Sequence, residues 1–572
     1  MVSFSNICMA FAAAAGTRAV PATANHGPLT LFTELKQQPS MWKSEGAADK
    51  GVMITAQIGL KQSNIPGLQA KLLDVSNPES PNYGKWLSQE EIAAFTAPAA
   101  GNVEAVKAWL AANDIMETTQ PTNDWIEFTV PIHQMETLLD ADYQWFAHIT
   151  SDIKVPRTTK YSIPQGLHSV IDMITPTTAF YNNMGAHAQE IQMSANTIHS
   201  RASGCKGDGS IQPSCINSIY NIDYTSNGSQ LVGTTGLLGI GANHQDYASF
   251  GQAYVPGLKD FQDVTVGNGP NSGNGSALEG NLDTQHMGGI SHPNPSVYIS
   301  AGPIGGDAKS FNDAISNIAS YLSSTSNPPS VVSTSYGGEE QLQDASYMDR
   351  LCNEFMKIGS RGITLTVSSG DHGVGGNGES SCNQGFYAVW PASCPWVTAV
   401  GGTQFNGNSE EVANFQRLNK NVESPGGGYS WHFSAPDYNK DATSAFATAI
   451  QSQGYKGYFN ANGRGYPDIS LVSVGYSTYV DGKVLGALGT SASSPAIGAL
   501  VGVLNDYRQS KGQSTLGFIN PLLYSSNASA AIRDVTSGNN FGCGTKGYYA
   551  SSGWDAASGL GTLDFGKLRA VI

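Results

Sequence analysis

Three short segments carry residue types able to do covalent chemistry. Gly489-Thr490-Ser491-Ala492-Ser493-Ser494-Pro495 leads into the apolar stretch 496–504, so Ser491 stands at a helix start just past a glycine turn. Rigid backbone would hold its hydroxyl there, and a helix N-terminus favours developing negative charge, as a nucleophile requires. The same pattern serves a plain Ser/Thr N-cap, so its partners decide. In Glu279-Gly280-Asn281-Leu282-Asp283-Thr284-Gln285-His286 two acids stand four residues apart. On a helix they share one face, and their repulsion pushes one toward holding a proton in mild acid; in isolation the segment is equally a solvated acidic turn. In Val367-Ser368-Ser369-Gly370-Asp371-His372-Gly373, Asp371 follows an apolar run. A protonated carboxyl there can donate a hydrogen bond to an oxyanion; alone, the residue would be read as a turn former.

These residues need a frame. Beyond residue 204 glycine is frequent and short apolar runs recur at 237–242, 297–301, 330–335, 363–368 and 397–400. Val/Ile-rich runs with helical patterns between them predict an α/β fold with a buried parallel sheet covered on both faces. Ligands of such sheets bind past the carboxyl ends of the strands, where Asp371 lies. The apolar run 495–504 predicts a core helix and is too short to cross a membrane. Residues 28–175 have another texture. Strand-like segments at 52–60, 125–130 and 143–149 alternate with helical patterns at 68–75, 103–112 and 132–139. That order predicts a smaller α/β domain on an antiparallel sheet, of ferredoxin-like arrangement. Lacking a nucleophile, metal cluster or phosphate loop, it reads as a propeptide. An apolar run at 7–15 followed by small residues reads as a secretory signal over 1–19. The polar stretch 176–204 reads as a linker holding a processing site between Phe180 and Ser203, which leaves 205–572 as the main domain.

Charged residues make up only 13% of the 572, and 30 Lys+Arg against 45 Asp+Glu give −15. This disfavours nucleic acid as a partner. In acid only those 30 bases and 11 histidines carry charge, so self-repulsion stays limited and an acidic workplace is permitted. Removing Cys8 with the signal leaves six cysteines, an even number suited to bridges in a secreted chain, and no C-x-x-C pair suggests zinc. Asn227, Asn274 and Asn527 head glycosylation sequons.

Taken together in this chain order, the Glu279/Asp283, Ser369-Gly370-Asp371 and Gly489-Thr490-Ser491 segments resemble the sedolisin, or serine-carboxyl peptidase, family. Ser333-Thr334-Ser335-Tyr336-Gly337 and Gly426-Gly427-Gly428-Tyr429-Ser430 look like supporting segments of that family, and Tyr83-Gly84-Lys85-Trp86-Leu87-Ser88 like its activation-domain motif. The resemblance implies a subtilisin-like doubly wound parallel sheet behind an activation domain. Ser491 would attack the scissile carbonyl, Glu279 would serve as general base and then acid, Asp283 would orient Glu279, and Asp371 would steady the oxyanion. Ser333, Ser335, Gly337 and Gly427 would line the substrate cleft. One Ca2+ would be held by the side chains of Asp534 and Asp555 and the carbonyls of Val535, Ser551 and Gly553, an oxygen set suited to a hard cation. Cys205 would pair with Cys215, Cys352 with Cys394, and Cys382 with Cys543. Departures from the family pattern are His372 after Asp371, Leu488 before Gly489, His286 three after Asp283, and Ser551 at a usual glycine.

The implied protein is a secreted, monomeric, self-processing zymogen acting on proteins or peptides, its propeptide an internal inhibitor, destined for the extracellular space or an acidic vacuole or lysosome. It would be an endopeptidase or a tripeptidyl-peptidase. Asp371 must be protonated while Glu279 accepts a proton, so activity should be bell-shaped and centred below neutral. Two rival readings are a subtilisin-type peptidase using His286 or His372 as base, although no His-Gly-Thr-His segment occurs, and a catalytically silent secreted glycoprotein.

Overall fold

The computed structural model describes residues 26–35, 42–149, 154–180, 188–191, 205, 211–267, 269, 277–302 and 311–572, apart from 377, 380 and 384. The expected signal, most of the linker and Asn274 lie outside the described residues.

The main sheet forms from segments buried on both faces. Its parallel strands run in the order Gln262–Val266, Ser296–Ala301, Val232–Gly236, Val331–Thr334, Thr364–Ser368, Thr398–Asn406. Ile469–Val472 adds in parallel and Ser409–Val412 antiparallel to the last of these. The chain enters centrally at Val232–Gly236 and winds to either side, the doubly wound order of an open α/β sheet. Side chains alternate between two apolar layers: Val331 packs with helices Leu278–Ser291 and Thr490–Ser510, Val332 with Phe311–Ser324 and Ala345–Ser360.

One strand differs from expectation. The apolar run 237–242 lies past the strand, whose sequence is Val-Gly-Thr-Thr-Gly. Small residues are needed here because Tyr298 crosses the strand: a Cβ on Gly236 would sit 1.9 Å from its hydroxyl.

The N-terminal part builds antiparallel sheets with helices, but its strands are shared among small sheets. Met53–Leu60 pairs with Trp125–Pro131 and Ile171–Thr175, Gln144–His148 with Trp42–Ala47 and Lys154–Arg157, and Leu29–Glu34 with Lys160–Pro164. Two contacts lock this part to the main domain. Trp86 lies between Gly362 and Gly517, on either of which a Cβ would come within 2.4 Å of the indole, and its Nε1 donates to the Thr515 carbonyl at 2.9 Å. Beside it is a buried charge cluster. Arg350 Nη2 is 2.9 Å from Asp124 Oδ2, Lys357 Nζ is 3.2 Å from the same oxygen and 2.7 Å from Glu354, and Arg350 stacks 4.5 Å over Trp125.

Burial raises the proton affinity of Asp124, but Lys357 and Arg350 more than offset it and hold this carboxyl well below the usual range. A depressed value in the fold contributes stability above the unfolded pKa of about 3.9, lost as pH falls below it. Asp124→Asn leaves two buried cations under-paired and is expected to destabilise the full-length chain by about 3–5 kcal/mol at pH 7. Melting from pH 7 to pH 2 checks this: the gap from wild type should narrow below pH ~4, and a constant gap would count against it.

Candidate active site

Helix Leu278–Ser291 packs so closely on Thr490–Ser510 and the sheet that Glu279 and Asp283, one turn apart, are both buried. Ser335, just past strand Val331–Thr334, donates its hydroxyl to Asp283 Oδ1 at 3.0 Å. Glu279 Oε2 accepts the backbone N–H of Ala188. Ser491 opens the facing helix; its hydroxyl lies against the Glu279 carboxylate and makes no other hydrogen bond among the described residues.

Asp371 comes from the turn after strand Thr364–Ser368. Its Oδ1 accepts from Thr490 N at 2.7 Å and from Thr490 Oγ1 at 3.0 Å. Its Oδ2 has no hydrogen-bond partner among the described residues. That oxygen faces Gly489, where a Cβ would lie 2.7 Å away and φ is +128°, so only glycine fits. Thr490 therefore aims one oxygen of Asp371 and leaves the other available to carry a proton.

Burial raises all three acids. It lifts Glu279, to which Asp371 adds repulsion, against the lowering effect of the Ala188 N–H and the Ser491 hydroxyl. Asp283 is held well above the carboxylate range by burial and then by Glu279. Asp371 is pushed up to about 6 by burial, opposed by Thr490 and His372. Such a cluster holds protons where isolated acids would not.

Neither candidate histidine is turned to Ser491. His286, its proton affinity lowered to about 3 by burial, points Nε2 at the Ser477 carbonyl at 3.1 Å and packs edge-on against Tyr476. His372 pairs with Glu423.

Ser333 meets Ser494 Oγ at 2.9 Å, tying the sheet to the Ser491 helix, and Ser335 serves Asp283. Gly337 and Gly427 lie in close packing, their virtual Cβ atoms 2.6 Å from Val389 Cγ1 and 2.1 Å from the Ala556 carbonyl. Asp534 and Asp555 converge on one turn, accepting from Gly553 N and Ser551 N at 2.9 Å each, while the Val535 carbonyl meets Ser558 Oγ at 3.4 Å. The cysteines pair 205–215, 352–394 and 382–543. Asn227 and Asn527 are exposed. Residue-type reasoning passed over Thr490, which lies inside a quoted motif, and Ala188, whose contribution is a backbone N–H.

A buried serine against Glu279, with Asp283 one turn further on the same helix, at the end of a doubly wound parallel sheet, is an arrangement suited to a serine-type hydrolase of the carboxyl kind. Comparison with known proteins agrees. Residues 40–180 match the Pro-kumamolisin activation domain. The chain is 31% identical to "Tripeptidyl-peptidase SED2" of Arthroderma otae over 95% of its length and 96% of that protein. It is 33% identical to "Tripeptidyl-peptidase sed4" of Aspergillus fumigatus over 94% and 96%. Pseudomonas sedolisin, a serine-carboxyl proteinase solved with two molecules of pseudo-iodotyrostatin, superposes with a TM-score of 0.52 at 28% identity, covering 64% of this chain and 98% of that one. The chain belongs to the sedolisin family and is a serine peptidase carrying an activation domain.

A raised pKa in the fold has the opposite linkage to that of Asp124. The Asp371 contribution is fully present below the unfolded value of 3.8 and is lost as pH rises through about 6. Ionising this buried group should cost roughly 3 kcal/mol at neutral pH. Asp371→Asn should therefore flatten stability between pH 4 and 7, read by denaturant unfolding. An unchanged slope would mean that Asp371 does not titrate in this window.

Proposed function

We propose that this peptidase works in acid through a Ser491–Glu279–Asp283 triad with Asp371 as oxyanion donor. The observation that carries the reading is that these acids are all buried with raised proton affinity, Glu279 lying against the Ser491 hydroxyl, Asp283 beside Glu279 and Asp371 held by the adjacent Thr490. Ser491 Oγ attacks the scissile carbonyl and its proton passes to Glu279. Protonated Asp371 donates from Oδ2 to the oxyanion, and Glu279 returns the proton to the leaving nitrogen. Asp283, fixed by Ser335, orients Glu279 and shares its charge. Below the working range Glu279 no longer accepts; above about pH 6 Asp371 ionises and repels the oxyanion. That its relatives are tripeptidyl-peptidases favours removal of tripeptides from N-termini over internal cutting.

The protein is read as a secreted precursor with domains at 1–19, 28–175, 176–204 and 205–572, a monomer acting outside the cell or in an acidic vacuole. Among the described residues no helix is long and apolar enough to cross a membrane. Acidification below pH ~4 is the release signal: there a freed Asp124 takes up a proton while the bound one is held ionised by Arg350 and Lys357, so the contact loses stability. Asn227, Asn274 and Asn527 are the proposed glycosylation sites.

Ca2+ fits the C-terminal turn. Asp534 and Asp555 converge there on the Gly553 and Ser551 N–H groups, burial pushes Asp555 up to about 7 with no ion-pair partner among the described residues, and the carbonyls of Val535, Ser551 and Gly553 would complete the oxygen set. When bound, the ion neutralises these acids and fixes the turn. Gly427 packs on the adjoining Ala556 carbonyl, and Asn540 Nδ2 bridges both segments at 3.2 and 3.0 Å. Chelation, or Asp555→Asn, is expected to lower the melting temperature without displacing the pH profile; a chelator-insensitive melt would remove the ion from the proposal.

Catalysis is tested on Ser491→Ala, Glu279→Gln and Asp371→Asn. The first two should lose about 10⁴-fold or more in kcat/KM and fail to shorten their own precursor in acid. Asp371→Asn should lose about 10²–10³-fold and move its alkaline limb upward, because an amide does not ionise. Equal self-shortening in wild type, Ser491→Ala and Glu279→Gln would sink the reading.

A further inference from the structure

Ala188–Ile191, the described residues between the N-terminal part and the main domain, lie against the reacting groups. Gln189–Ile191 pairs antiparallel with strand Lys483–Leu488: Ile191 opposite Gly486, Glu190 opposite Ala487, Gln189 opposite Leu488. That strand feeds directly into Gly489-Thr490-Ser491. In an antiparallel pair, a step back along one strand is a step forward along the other, so Ala188, one step before Gln189, lies at the Gly489 end of that strand. A second observation agrees: the backbone nitrogen of Ala188 donates to Glu279 Oε2, on the carboxylate that faces Ser491.

The segment is gripped along its length. Ile191, 5% exposed, belongs to an apolar cluster with Phe415, Val422 and Leu488, and Ala188 to one with Leu282 and Ala487. Asn419 Nδ2 donates to the Glu190 carbonyl at 3.2 Å.

In acyl transfer the general acid must reach the nitrogen of the departing amine. A backbone nitrogen held on Glu279, its chain running away along the strand that delivers the nucleophile, occupies the leaving-group side. Resting on the triad proposed above, we infer that the peptide bond whose nitrogen belongs to Ala188 is the first bond this precursor cuts in itself, so that the new chain begins Ala188-Gln189-Glu190-Ile191. The carbonyl belongs, by sequence, to His187. Ser491 Oγ bonds to that carbonyl carbon as its proton passes to Glu279. The C–N bond then breaks and Glu279 delivers the proton to the Ala188 nitrogen, leaving an amine. Water hydrolyses the ester, giving the released segment a carboxyl terminus at His187 and restoring the Ser491 hydroxyl.

The test acidifies full-length wild type, Ser491→Ala, Ala188→Pro and Ala188→Ser precursors and reads both new termini by mass spectrometry at the earliest cleaved fraction. The carboxyl terminus of the released segment is the decisive reading, because trimming from N-termini leaves it intact. Wild type and Ala188→Ser should release a segment ending at His187. Ala188→Pro, whose nitrogen carries no proton and lies in a ring, should cut there slower by about 10²-fold or more, and Ser491→Ala should stay whole. A Ser491-dependent first cut at any other bond, no cut in wild type, or an undiminished cut in folded Ala188→Pro would overturn the assignment. Should Ala188→Pro fail to fold, the wild-type terminus alone decides. Shortening of Ser491→Ala equal to wild type would instead sink the catalytic reading itself.

Discussion

The site depends on crowding three carboxyl groups into a space where water and cations do not neutralise them. Glu279, Asp283 and Asp371 are at most 4% exposed, and every cation-bearing side chain near them is spoken for or weakly placed: His286 is neutral on the Ser477 carbonyl, and His372 is engaged by Glu423. Burying several charges together is far more costly than burying one. The cluster therefore keeps protons well above the ordinary carboxylate range, and two roles become available from one residue type. In the proposed mechanism one acid receives a proton from the serine while another stays neutral and donates. A histidine base would need none of this crowding, and none of the described histidines is held where it could serve.

Crowding of this kind demands backbone that does not give. Gly489 has no Cβ because Asp371 Oδ2 occupies that space, and its positive φ turns the chain into the Ser491 helix. Thr490, next in line, spends both its N–H and its hydroxyl on Asp371 Oδ1. Gly489 and Thr490 thus fix Ser491 relative to Asp371, although the two lie more than a hundred positions apart in sequence. On the other side, Ser335 fixes Asp283, and Ser333 ties its strand to Ser494 on the same helix. The sheet and the two buried helices consequently position both halves of the site through hydrogen bonds of about 3 Å.

Much of this was legible in the sequence because chemistry and framework were adjacent. Ser491 preceded a long apolar helix, Asp371 followed an apolar strand, and the four-residue spacing of Glu279 and Asp283 put them on one helix face. What escaped had no side-chain identity to read or broke the usual pattern. The Ala188 N–H is present in every non-proline residue, and only the pairing of Gln189 with Leu488 directs it to Glu279. Strand Val232–Gly236 lacks the apolar run of its neighbours, and at its end Tyr298 takes the volume a larger residue than Gly236 would fill. The division of the N-terminal strands among small sheets was hidden for another reason: periodicity gives the strands and not their partners. The contacts of Ser333 and Ser335 tie the sheet to the helices carrying Ser491 and Asp283, and those of Gly337 and Gly427 are close packing on Val389 and Ala556.

The two buried charge clusters respond to acid in opposite senses, and that opposition links zymogen to enzyme. At the interface Asp124 is opposed by Arg350 and Lys357, so its ionised form is favoured and acid works against the contact. In the site the acids face one another, so their protonated forms are favoured and acid works for the fold. The directions of these shifts imply that falling pH first relieves repulsion around Ser491, near pH 6 for Asp371, and below about 4 also weakens the attachment of the N-terminal part. The difference does not need a dedicated sensor residue. It follows from whether a buried carboxyl has a cation or another carboxyl as its neighbour.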